Sequence, residues 1–529
     1  MKFRIPLPHH LFAIAASVLI AASGTAHAQE KTLRVVPGTN LSVLDPIWTT
    51  ASPVRIHGFM IYDTLFGTDE HGQVKPQMVD SWTTSPDGKL WTFTLRKGLE
   101  FHDGQPVTGE DVKASLDRWS KRDNMGQTLY SFVEKVDVPK PDTFRIFLKE
   151  PAGFMLEALG KPSSNVPFIM PKRVASTDPF TQIDDYVGSG PYVFKRDEFK
   201  PGDKAVYTKF ARYVPRKEPP SGTTGGKNVF IDRVEWNLAL RDPQAQVNAL
   251  VNGEVDMIEQ PAFQSYAALA NDKQLKLVTG NTLGSQFIVR FNHLQAPFNN
   301  MKVRQAAAAA LSNQEAFLKA QVGIKEYSKP CVEMFVCGTP YGTDKGAQLL
   351  AGSNIKRAQE LLKTSGYDGT PVVILKPTDL PCCDKLPDVA AQLLRLAGFK
   401  VEVLAMDWNS VLARRAKKDP ASAGGWSLFA TYLTAPEAWN PLSSIPLPAA
   451  GEKSWFGWPD DPTLEALRMR FARELNQDKR VALAAEIQSR AYEVVTHVPV
   501  GQYINPTAMR KDVSGLVLGP GNFYWNLKK

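Results

Sequence analysis

Residues 81–119 read SWTTSPDGKLWTFTLRKGLEFHDGQPVTGEDVKASLDRW. Trp91, Phe93 and Leu95 alternate with Thr92, Thr94 and Arg96, the period of two of a half-buried strand, in residue types that favour pleated backbone. Just before it, Ser85-Pro86-Asp87-Gly88 predicts a tight turn, since proline presets φ and glycine accepts positive φ. The strand should hairpin back to Trp82. Phe101-His102-Asp103-Gly104 forms a second turn, and Thr108 with Asp111 has capping-box spacing ahead of a helix carrying Val112, Leu116 and Trp119 on one face. Nothing here is arranged for catalysis. His102 has one neighbouring acid and no second metal ligand near it in sequence, so it reads as a loop hydrogen-bonding residue.

Upstream, Lys2 and Arg4 precede the apolar run Leu11 to Ala22, followed by Ala26-His27-Ala28. A basic start, a short apolar centre and an A-x-A site predict an export signal removed after Ala28. No stretch is apolar for the roughly 18 residues that a membrane-spanning helix needs. The rest, about 500 residues, exceeds what one hydrophobic core usually supports, so two or more lobes are expected. Loss of Lys2 and Arg4 from 62 basic residues leaves 60 against 54 acidic ones, formally +6. These charges are interspersed, with no basic stripe, which argues against nucleic-acid binding.

The chain then runs from a strand at Thr32 to Pro37 into Gly38-Thr39-Asn40, which places Asn40 at a sheet end, either lining a ligand crevice or as an ordinary turn residue. Val187-Gly188-Ser189-Gly190-Pro191-Tyr192 and Gly226-Lys227-Asn228 fit no phosphate-binding loop. Downstream, helices at 304–320, 354–364 and 387–397 alternate with strands at 372–375 and 401–404, and glycines close several of them. This is the signature of a second α/β lobe. Four cysteines in an exported chain are open to oxidation. Cys331 and Cys337 flank one loop and are expected to form a disulfide. Cys382 and Cys383 are adjacent, bridged as a strained ring or left as two thiols. Zinc-type spacing is absent, and no metal or cofactor is expected.

Several of these segments together carry a family resemblance. SPDGKLWTFTLRKGLEFHDGQPVTGEDVKAS at 85–115, Tyr62-Asp63-Thr64-Leu65-Phe66, Gly188-Ser189-Gly190-Pro191-Tyr192, Ala249 to Asp256, and Phe287 to Asn292 followed by Val303-Arg304 resemble the family 5 extracellular solute-binding proteins. These are the periplasmic dipeptide- and oligopeptide-binding components of ABC importers. The resemblance implies an α/β, bilobed periplasmic-binding-protein fold of the large peptide-binding type. Its first lobe would span 29–285 with an inserted subdomain at about 65–184. Its second lobe would span 286–499, and 500–529 would return to the first, with a hinge near Gln286 to Asn292. It also implies a periplasmic monomer that captures a small solute, a dipeptide or short peptide foremost, and delivers it to membrane permease subunits.

The same resemblance points to 425–441, GWSLFATYLTAPEAWNP. In the relatives an aspartate four residues before a proline pairs with the ligand's ammonium. Glu437 stands at that place before Pro441, though it is Glu rather than Asp and the preceding residues differ; a solvated loop acid is the other reading. Arg290, in an apolar run on the hinge strand, is a candidate for a ligand carboxylate, or else for an acid outside the cleft. Tyr432 and Trp439 are aromatic candidates for the cleft wall, while Trp426 and Trp408 read as packing. An opine, a sugar derivative or a metal chelate is the alternative cargo on such a fold. A secreted hydrolase is the rival class; neither G-x-S-x-G nor H-E-x-x-H occurs, and no catalytic residue is assigned.

Overall fold

The computed structural model describes residues 1–3, 30–352 and 354–529. The expected cleavage after Ala28 and the apolar run before it lie outside the described residues. Residues 1–30 and 31–529 form separate units, and every strand and helix of the described residues belongs to the second.

The stretch 81–119 folds as its pattern dictates. Strands Val79–Thr84 and Leu90–Leu95 pair antiparallel with Trp82 opposite Phe93, around a turn in which Gly88 has φ 71°. Thr143–Leu148 and Val133–Lys140 complete a four-stranded sheet. Phe93 stacks on Phe144 at 4.9 Å between ring centres. The helix Gly109–Trp119 buries Val112, Leu116 and Trp119 against this sheet, and the Thr108 N–H donates to Asp111 at 2.8 Å as the capping spacing requires.

Two larger sheets form the lobes of an α/β, bilobed molecule. The first runs Tyr192–Phe194, Lys204–Lys209, Arg233–Asn237, Thr32–Val36, Met257–Ile258, Thr507–Arg510, Leu275–Val278. Thr32–Val36 is parallel to both of its neighbours, so the loop leaving it at Pro37 opens at the carboxyl edge, where such sheets bind ligands. The second runs Ser328–Lys329, His497–Tyr503, Ser285–Phe291, Leu428–Thr434, Val372–Pro377, Val401–Met406. Leu33, Val35, Tyr207, Trp236 and Trp525 belong to one core under the first sheet. The core under the four-stranded sheet is continuous with that of the second lobe.

The chain crosses between lobes twice, from Val278 to Ser285 and from Tyr503 to Thr507. Ser285 pairs with Tyr503 and Val278 with Thr507, so the crossings run side by side. The return expected at Val500 falls inside His497–Tyr503, which stays paired to Ser285–Phe291 through Tyr503; the chain re-enters the first sheet at Thr507. That strand is buried at every position, so no change of pattern marks its end. The helix expected over 304–320 is two, Met301–Ala310 and Gln314–Gln321. Asn313 caps the second by accepting from the Ala316 N–H.

Family-patterned residues outside the cleft serve the framework. Gly188 and Gly190 let two backbones touch: a Cβ on Gly188 would lie 1.6 Å from the Ile61 carbonyl oxygen. His102 clamps this crossing. Its Nδ1 accepts from the Gly188 N–H at 3.1 Å, which leaves Nε2 protonated to donate to the Gly190 carbonyl at 3.1 Å. Lys227 is fully buried and pairs with Asp63 at 2.7 Å, and Arg118 pairs with Asp45 at 2.7 Å. Asp256 takes Arg34 and Lys529.

Candidate ligand cleft

Between the lobes lies a cleft of three adjoining chambers, all touching Thr39, of about 330, 120 and 80 Å³. Asn40, Arg241, Gln260, Phe263, Leu380 and Trp408 line the largest. Asn40 is exposed into it from the loop after Thr32–Val36. Arg55, Glu259, Asn281 and Tyr432 line the smallest. Tyr432 also lines the 120 Å³ chamber, with Arg415, Glu437 and Trp455.

Glu437 closes a one-turn 3-10 helix, Ala435–Glu437, at the end of strand Leu428–Thr434. One carboxylate oxygen accepts from the Thr434 N–H at 2.8 Å. The other accepts from Arg55 Nη1 at 2.6 Å. Arg55 rises from the helix Ser52–Ile61 of the first lobe, so this ion pair spans the cleft, with both side chains about 5% exposed. The acid expected to await a ligand ammonium is therefore engaged by a protein guanidinium. Glu259, buried on the chamber that Arg55 also lines, accepts from the Gly38 N–H at 3.0 Å and from the Tyr524 hydroxyl. Burial raises its pKa above the usual carboxylate range.

Arg290 is no part of the cleft. It is fully buried and donates to four backbone carbonyls: Phe456 and Pro446 at 2.7 and 2.6 Å, Thr496 at 2.6 Å and Trp455 at 3.2 Å. The reading as a carboxylate receptor is corrected. An arginine in an apolar strand does need acceptors, but here the backbone of three loops supplies them. Trp439 lies further along the seam, over Gly72, in hollows of about 320 and 180 Å³. The second of these shares Asn281 and Pro520 with the 80 Å³ chamber. Trp426 is core, as expected, and donates Nε1–H to the Arg415 carbonyl.

Three cleft residues escaped the sequence reading: Arg55, Glu259 and Arg415. Arg55 is the one charge in an otherwise apolar helix turn, a usable signal. Arg415 sits in ARRAKKD, indistinguishable from a solvated charge run. Its guanidinium stands 4.7–5.6 Å from the ring centres of Trp408, Phe429, Trp455 and Phe456. Burial lowers its pKa to about 9.

Cys331 and Cys337 are joined, as expected. Cys382 and Cys383 are free thiols with sulfurs 3.4 Å apart, and Cys382 lines the largest chamber. Among the described residues, no helix is long and apolar enough to cross a membrane, and no group of three or more His, Cys, Asp or Glu is placed to hold a metal.

Comparison with known proteins accords with this geometry. The chain is 40% identical over 507 residues to a protein of Sinorhizobium fredii named probable peptide ABC transporter periplasmic-binding protein y4tO, covering 96% of this chain and 94% of that one. The periplasmic binding protein AgaA of A. tumefacien R10, solved with agropinic acid, superposes with a TM-score of 0.78 at 24% identity, over 94% of this chain and 98% of that one. The binding protein DppA of Helicobacter pylori, solved with the peptide STSA, gives 0.79 at 20% identity, over 94% and 97%. Residues 73–446 match the family described as bacterial extracellular solute-binding proteins, family 5 Middle, and to that family the chain belongs.

Proposed function

We propose that this protein is the periplasmic substrate-binding component of an ABC importer, exported by a signal cleaved after Ala28 and acting as a monomer. It captures a dipeptide or short peptide between its lobes and delivers it unchanged to membrane permease subunits. The observation that carries this reading is the seam itself. A polar, chambered cleft is lined from both lobes and bridged by Arg55 and Glu437, and the backbone passes between the two large sheets through two short, paired crossings. Ligand contacts to both sides favour the closed state by their difference in affinity for closed and open forms.

Within the cleft, Glu437, Asn40 and Tyr432 are the proposed ligand contacts, with Trp439 serving a longer ligand along the seam. A ligand ammonium would share the Glu437 carboxylate with Arg55 or displace it. The lobes divide at the paired crossings, 279–284 and 504–506. Calorimetry with dipeptides, tripeptides and tetrapeptides, with mass analysis of the recovered ligand, tests the function. Stoichiometric binding without cleavage is expected; hydrolysed peptide or no peptide binding would sink it. An opine is the second reading, favoured by the agropinic-acid complex of the AgaA protein, and the same titration with an opine separates the two.

A further inference from the structure

Among the described residues, no carboxylate lies within ion-pair distance of Arg415. The Arg415 guanidinium lines the 120 Å³ chamber that Tyr432 and Glu437 also line. Its Nε is buried and has no hydrogen-bond partner among the described residues. Four aromatic rings surround it. They favour a cation through their faces but offer no lone pair to its five in-plane N–H donors. A buried N–H left without an acceptor is costly, and the half-buried guanidinium that carries it is open to the chamber. Arg290, outside the cleft, shows the contrast. The loop through Trp455 and Phe456 turns its carbonyls to Arg290 and its rings to Arg415. The acid that shares the chamber, Glu437, is already taken by Arg55.

We infer that Arg415 is the receptor for a carboxylate of the bound solute. The inference rests on the reading of this cleft as the ligand site, and it sets the chemical class of the cargo: a solute with at least one free carboxylate, held fork to fork by the guanidinium while aromatic walls exclude water. A single cation in a small, aromatic chamber suits a planar monoanion. A phosphate dianion would call for further donors. In a zwitterionic solute the ammonium then faces the Glu437 side of the same chamber, so Arg415 and Glu437 together fix its polarity.

The test uses four probes on the purified full-length mature protein: alanylalanine, its C-terminal amide, N-acetylglycine and N-acetylglycinamide, by calorimetry and thermal shift. Wild type is expected to prefer each acid over its amide by about tenfold or more. R415M should lose that preference by weakening the acids and leaving the amides unchanged. R415K, which keeps the charge without the fork, should retain part of it, and it stands in if R415M fails to fold. An equal acid preference in wild type and both variants overturns the assignment, as does the absence of any acid preference in wild type. If N-acetylglycine binds through Arg415 and neither dipeptide form binds, the peptide reading falls and the anion receptor stands. If no probe binds, both fall.

Discussion

Glu437 and Arg55 each lose most of their hydration in the cleft, and each offsets the other's buried charge. Replacing Glu437 by Gln leaves the Arg55 cation buried and should cost about 3 kcal/mol in urea unfolding, whereas R55M with E437L together should recover most of the loss. If E437Q unfolds at the wild-type midpoint, the pair contributes nothing in solution. His102 gives a second handle. Burial lowers its pKa to about 4, against about 6.5 in an unfolded chain. The unfolded state therefore binds the extra proton between those values, and stability must fall as the pH drops from about 6.5 to about 4, by at most ~3 kcal/mol for this residue. His57 and His497, lowered to about 3 by burial, act in the same direction. H102Q should flatten the stability profile by one proton's worth in that window, and an unchanged slope in denaturant titrations at pH 4.5, 5.5 and 6.5 would contradict the clamp at Gly188 and Gly190.

Elements whose two faces differ were legible in the sequence. The hairpin of Trp82 and Phe93 and the helix with Val112, Leu116 and Trp119 each show their period because one face meets water or a hydrogen-bonding layer. The strand His497–Tyr503 is enclosed on both faces, so its end left no mark and the return to the first lobe was placed inside it. The role of Arg290 was hidden for another reason: its acceptors are main-chain carbonyls, and these are the same for every residue type. Arg415 was hidden by its neighbours, since which arginine of a charged run turns toward aromatic rings is decided by loops that are distant in sequence. Where two elements cross, Gly188→Ala forces a Cβ into the Ile61 carbonyl and should destabilise by about 3 kcal/mol, measured by thermal and urea unfolding; a neutral effect would mean the two loops are not in contact. Without reductant, the native protein should show Cys382 alkylating readily and Cys383, fully buried, slowly, while Cys331 and Cys337 stay unmodified until reduced. Peptide mass mapping checks the order, and rapid labelling of Cys331 would remove the disulfide.

At the scale of the whole molecule, the resemblance carried by 85–115 implied two lobes, and two sheets with a cleft between them are present. The cleft's electrostatics were less accessible, because Arg55 and Glu437 are 382 residues apart and only the tertiary fold brings them together. Closure should be visible as a compaction: small-angle scattering is expected to give a smaller radius of gyration with a bound peptide than without, and identical curves for the two states would count against a hinged receptor. The crossings at Val278 to Ser285 and Tyr503 to Thr507 are bonded to one another at both ends, so they bend as one ribbon. Tyr432, whose ring is 6.3 Å from that of Tyr503, sits close to this axis. Atoms there barely travel when the halves swing, and those at the outer rim sweep the widest arc. A solute gripped beside Tyr432 is thus anchored where the geometry changes least. On the reading proposed above, how far the jaws finally shut is set by what protrudes from that anchor.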